Sequence, residues 1–109
     1  MGTASRVALA CACRLLLAGG GAIAAEKPAT HTIVIDGVAY KPEALTVKRG
    51  DTVVWVNKDP FPHTVTAKGV FDSHEIAAGK SWKYTASKPG EYAYICTLHP
   101  NMKATLKVE

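Results

Sequence analysis

The sequence predicts an all-β domain, a sandwich or a barrel. Two observations predict it. From His31 onward the apolar residues recur with period two, and turn-forming residues interrupt the pattern about every eight to twelve positions.

Residues 32–36 (TIVID) read as the first strand, which Asp36-Gly37 stops. Residues 40–43 read as a connection, because Pro42 cannot donate to a central ladder. Residues 44–48 alternate, with Leu45 and Val47 on one face, and Arg49-Gly50-Asp51 turns the chain. Residues 52–57 (TVVWVN) are apolar on both faces, which places this strand centrally. Two prolines stiffen residues 58–62 and hold the segment extended, presenting His63 at a defined angle. Residues 63–67 read as a short strand. Residues 68–79 are irregular and leave room for a helical turn. Residues 81–85 alternate with Trp82 and Tyr84 inward, and residues 87–90 (SKPG) form a turn. Tyr92, Tyr94 and Cys96 then share one face, because Cβ directions alternate along a strand. In the last strand Met102, Ala104, Leu106 and Val108 face in, while Lys103, Thr105, Lys107 and Glu109 face out.

The chain has 109 residues, enough for one domain. Residues 1–25 hold two arginines, no acidic residue, and a short apolar run ending in Ala22-Ile23-Ala24-Ala25. That is the pattern of a cleaved export signal, and the run is short and glycine-rich for a membrane span. The sequence therefore divides into a signal peptide, 1–25, and a domain, 26–109, with a periplasmic destination expected. Cleavage removes Cys11 and Cys13 and leaves Cys96 as the one thiol, so no internal disulfide can form. No C-x-x-C-H occurs, so covalent haem attachment is unsupported. The net charge of +4 falls to +2 without Arg6 and Arg14, and the ten remaining lysines are scattered. This argues against a nucleic-acid partner.

The chemistry concentrates in Cys96-Thr97-Leu98-His99-Pro100-Asn101-Met102, where a thiol, an imidazole and a thioether follow one another at three-residue steps. Two imidazoles, one thiolate and a weak axial methionine describe a blue-copper electron-transfer site. The loop supplies one imidazole, and His63 is the best candidate for the other. Structural zinc sites favour paired Cys or His in a closed tetrahedron, which a C-x₂-H-x₂-M loop does not provide. His31 and His74 have no matching partners in sequence and are expected at the surface. No nucleophile–base pair suggests an enzyme.

The residues 50–55 (GDTVVW), Pro62-His63, residues 90–96 (GEYAYIC) and the loop 96–102 resemble the cupredoxins, the type I blue-copper family. The two-residue gaps and Pro100 after His99 make the loop most similar to amicyanin-like ones, with plastocyanin and pseudoazurin more distant. The resemblance implies a Greek-key β-sandwich of about seven to eight strands, with one copper ion held by His63, Cys96 and His99 and with Met102 axial. It also implies a monomeric electron carrier that meets its partners, a c-type cytochrome or a periplasmic dehydrogenase, transiently through the His99 edge. The competing readings are a periplasmic copper-delivery protein and a metal-free interaction sandwich. Many cupredoxins carry Asn after the first histidine, where its side chain ties the ligand loops. This chain has Thr64, whose hydroxyl reaches less far, so the sequence puts that tie in question.

Overall fold

The computed structural model describes residues 27–109, and the expected signal segment 1–25 lies outside the described residues. Nine strands follow in order: β1 (Thr30–Ile35), β2 (Tyr40–Lys41), β3 (Ala44–Val47), β4 (Thr52–Asn57), β5 (Thr66–Ala67), β6 (Phe71–Asp72), β7 (Ser81–Thr85), β8 (Gly90–Cys96) and β9 (His99–Val108). They form two mixed sheets, β2-β1-β4-β7 and β3-β9-β8-β5-β6. The chain passes repeatedly between the sheets, giving the all-β sandwich that the sequence predicts.

The long strands sit where the alternation places them. β4 pairs in parallel with β1 and antiparallel with β7, so both its edges are satisfied. Its two-sided apolar run fits that central position. In β9 the buried residues are Met102, Ala104, Leu106 and Val108, the predicted inner face. Three short strands depart from the expectation. Tyr40 does not sit in a loose connection: it pairs with Ile35 in β2 and is 1% exposed. Residues 63–67 are not one strand, because His63 forms an isolated bridge with Ile76 and regular pairing starts at Thr66. Residues 68–79 contain β6, and no helix occurs among the described residues.

Between the sheets lies an aromatic core. Trp55 of β4 is wholly buried and packs edge-on against Tyr94 of β8, with ring centroids 5.6 Å apart. Its indole N–H donates to the Tyr94 hydroxyl across the sandwich at 3.1 Å. A buried indole N–H needs an acceptor, and here the opposite sheet supplies one. Trp82 packs against Trp55 at a tilt, with centroids 5.5 Å apart, and Tyr94 meets Tyr40 edge-on at 4.7 Å. This packing fixes the end of β8, and with it the position of Cys96.

Candidate metal centre

β1, β4 and β8 all end at the same pole of the sandwich, and the loops that leave them build the site. Asn57, the last residue of β4, is fully buried and organises the first loop. Its Nδ2 donates to the carbonyls of Phe61 and Ile76, both at 2.9 Å, and its Oδ1 accepts the Asp59 N–H at 2.9 Å. The backbone of His63 exchanges hydrogen bonds with Ile76 at 3.2 and 2.7 Å. The imidazole that results is completely buried.

Asp59 orients that imidazole. Its carboxylate accepts the N–H groups of Gly37 and Val38 at 2.7 and 2.9 Å, and Nε2 of His63 lies 2.7 Å from Oδ2. Desolvation pushes the Asp59 carboxyl up, but the Val38 and Gly37 N–H groups and then His63 outweigh it, so its pKa lies below the ordinary value. An ionised carboxylate can only accept, so the proton of the neutral ring sits on Nε2. That leaves Nδ1 with a free lone pair, 3.6 Å from Sγ of Cys96.

The second loop is a tight hairpin. β8 ends at Cys96, β9 begins at His99, and the two residues face each other across a register shift that follows Ile95. The turn thus folds His99 back over Cys96, and His99 Nδ1 lies 3.7 Å from the sulfur. Cys96 is wholly buried and is the one free cysteine among the described residues. One ligand atom each from His63, Cys96 and His99 lies within 4.8 Å of the others. The structure therefore brings three of the four expected residues together. The fourth, Met102, is 4% exposed on the inner face of β9, three residues after His99.

The tie between the loops is present despite the threonine. Thr64 Oγ1 accepts the Thr97 N–H at 2.9 Å, and the Thr64 N–H donates to Cys96 Sγ at 3.3 Å. The hydroxyl suffices because the hairpin brings Thr97 close enough for a short side chain to reach. Tyr40 closes the same region by donating to the Thr64 carbonyl at 2.5 Å. Burial raises the Tyr40 phenol far above its ordinary pKa, with Cys96 and Tyr94 adding to the shift, so it remains a donor.

His31 departs from its expected place. Its Nε2 lies 2.9 Å from Asp51, whereas His74 is largely exposed. Asp59, Asn57 and Tyr40 were not readable as site residues. Asp59 carried a weak hint, four positions before His63 in a braced loop. Tyr40 carried none, because it is a sheet residue brought to the site only by tertiary packing.

Phe61 and Leu98 are exposed beside the half-buried His99, with Phe61 lying 5.7 Å from the His99 ring centroid. A buried thiol facing two imidazole nitrogens suits a borderline-to-soft cation, and the thioether-bearing strand that follows favours copper over a closed zinc tetrahedron. Among the described residues no helix is long and apolar enough to cross a membrane.

Comparison with known proteins agrees with this geometry. The cupredoxin-like domain family matches residues 7–108. An amicyanin of Paracoccus versutus is 34% identical over 93 residues, covering 79% of this chain and 70% of the relative. A plastocyanin of Scenedesmus fuscus is 31% identical over 90 residues, covering 66% of this chain and 88% of the relative. The structure of a methionine-to-alanine variant of amicyanin in its Cu(I) form superposes with a TM-score of 0.69 at 30% identity, covering 73% of this chain and 82% of the other. The fold, the His–Cys–His cluster and the sequence likeness place the chain together: it belongs to the cupredoxin-like family.

Proposed function

We propose that this chain is a periplasmic blue-copper electron carrier, exported by residues 1–25 and functional as the domain 26–109. The observation that carries the reading is the convergence of the His63, Cys96 and His99 ligand atoms within 4.8 Å at one pole of the sandwich. Nδ1 of His63, Sγ of Cys96 and Nδ1 of His99 would hold one copper ion, with the Met102 thioether as a further, weaker donor. Bound there, copper supplies a one-electron couple between Cu(II) and Cu(I).

The chain's own residues do the rest. Asp59 keeps the proton of His63 on Nε2, so the opposite nitrogen stays available. The Thr64 N–H donates to the sulfur, stabilising negative charge on it. Asn57 and the Thr64–Thr97 tie hold both loops in place, so the donors need little rearrangement when the charge at the site changes. Trp55, Tyr94 and Tyr40 exclude water from beneath the site. His99, partly exposed beside Leu98 and Phe61, is the edge through which electrons leave to a partner in contact. A small apolar surface of this kind suits a redox partner, a c-type cytochrome or periplasmic dehydrogenase, that must dissociate quickly.

Adding one equivalent of Cu(II) to the purified protein tests the reading. An intense blue colour that bleaches on reduction and returns on oxidation supports it. A colourless complex, or copper that exchanges freely with a chelator, favours delivery over electron transfer.

A further inference from the structure

Residues 63–67 run antiparallel to residues 71–76, and the pairing between them slips by one residue. Ala67 faces Phe71 and Thr66 faces Asp72, a register that would set His63 opposite Glu75. His63 pairs with Ile76 instead. One extra residue is therefore accommodated between Asp72 and Ile76. His74 is that residue: its φ of 60° lies in the left-handed region, and its side chain is largely exposed. The insertion explains how Phe71 and Ile76, five positions apart, are both buried, since strict alternation would put them on opposite faces. Bulges of this kind re-aim side chains beside functional sites.

Ser73 closes the gap that the bulge opens. Its own N–H donates to the Val65 carbonyl at 3.0 Å, as in a regular ladder. The return bond differs, because the Val65 N–H donates to the Ser73 hydroxyl at 2.8 Å rather than to a main-chain carbonyl. That hydroxyl donates in turn to the His74 carbonyl at 2.7 Å, so its proton is also used. Val65 has no exposed surface, and without the serine oxygen its N–H would be buried and unpaired. Thr64 thus lies between two pinned residues, His63 held by Ile76 and Val65 held by Ser73. Its N–H, which reaches Cys96 Sγ at 3.3 Å, is aimed from both sides.

We propose that Ser73 is a positioning residue of the metal centre, its hydroxyl standing in for a main-chain acceptor at the His74 bulge and so holding the Thr64 N–H on the Cys96 sulfur. The consequence for a bound metal rests on the metal-binding reading above, whereas the geometry does not. Ser73 acts through Val65 and Thr64, outside the donor set. Hydrogen bonds to the thiolate sulfur withdraw charge from it and tune the reduction potential of a blue-copper site. A weaker Thr64 bond leaves the thiolate a stronger donor, which favours the oxidised metal and lowers the potential.

The test uses the full-length protein with Ser73→Ala, which deletes the hydroxyl, and Ser73→Thr, which keeps it. Ser73 is half-buried, so both side chains fit. In metal-free protein, amide hydrogen exchange at Val65 and at Thr64 is expected to quicken about fivefold in Ser73→Ala, the loss of roughly one hydrogen bond. Exchange at Trp55 in β4 stays unchanged, and Ser73→Thr keeps the wild-type rates. In copper-treated protein the reduction potential falls and the visible band shifts in the alanine variant, and both return in the threonine variant. Quickening confined to Val65, with Thr64 exchange and the potential at their wild-type values, overturns the proposal, because Ser73 would then only complete the bulge. Equal quickening at Trp55 overturns it too, since it would mean general loosening. Failure of wild-type protein to develop a visible band refutes the electron-carrier reading, while Thr64 exchange in metal-free protein still decides whether Ser73 aims that N–H.

Discussion

The Asp59 carboxylate meets the buried His63 ring at 2.7 Å, on the side away from the Cys96 sulfur. That contact decides which nitrogen keeps the proton and fixes the ring plane at once. Loss of such an outer partner typically lowers metal affinity by about 10–100-fold. Asp59→Ala is therefore expected to weaken copper binding within that range, and Asp59→Asn, which retains an acceptor oxygen, to weaken it less. Competition against a chelator of known affinity measures both.

Asp59 also reaches back to a strained turn. Gly37 and Val38 both have positive φ, 65° and 58°, the conformation of a two-residue hairpin turn. Glycine adopts it freely, whereas a β-branched side chain there is strained. Val38 is 39% exposed, so its side chain recovers little through burial. Replacing it with Asn, which tolerates this region, is expected to stabilise the fold by about 1 kcal/mol. The urea midpoint should rise with an unchanged slope, and the site should keep its spectrum.

The opposite pole of the sandwich carries an acid-sensitive link. Asp51 accepts the N–H groups of Ala29 and Lys48 and lies beside His31, at 2.8, 3.0 and 2.9 Å. The Ala29 bond, then the Lys48 bond, then His31 lower the Asp51 pKa from 3.8 to about 2. A carboxyl whose folded pKa is depressed stabilises the protein above its unfolded pKa, and that contribution disappears as pH falls through the folded value. Wild-type stability should accordingly drop between pH 4 and pH 2. Asp51→Asn, less stable at neutral pH, should show a shallower drop over the same window in acid-unfolding curves.

The Trp55–Tyr94 bond joins the two sheets through the centre of the core. Tyr94→Phe keeps the ring but strands the indole N–H of a residue with no exposed surface. An unsatisfied buried donor costs about 1–3 kcal/mol. Denaturant unfolding should show that loss as a lower midpoint with an unchanged slope.

The long strands and the three-residue centre were legible because they rest on local pattern. Alternation in residues 102–108 gives the inner face of β9 directly, and the spacing of Cys96 and His99 fits a tight hairpin. The two-residue strands were not legible, because a strand of two residues has no period to read. Tyr40 owes its place to Ile35 and Thr64, not to its neighbours in sequence. The roles of Asp59 and Thr64 were hidden for a related reason. Asp59 bonds Gly37 and Val38, and Thr64 bonds Thr97, at sequence separations of 21 to 33. Such side-chain–backbone contacts depend on how the loops meet at the pole. The doubt that Thr64 raised in the sequence was resolved by the tightness of the hairpin, which places the Thr97 N–H within reach of a hydroxyl.

X-ray absorption at the copper edge, on wild-type protein and on Cys96→Ser loaded with one equivalent of metal, addresses the centre most directly. One sulfur and two imidazole nitrogens around copper in the wild type, with the sulfur contribution lost in Cys96→Ser, is the predicted result. A wild-type shell of nitrogen and oxygen alone, unchanged by the substitution, would contradict the account.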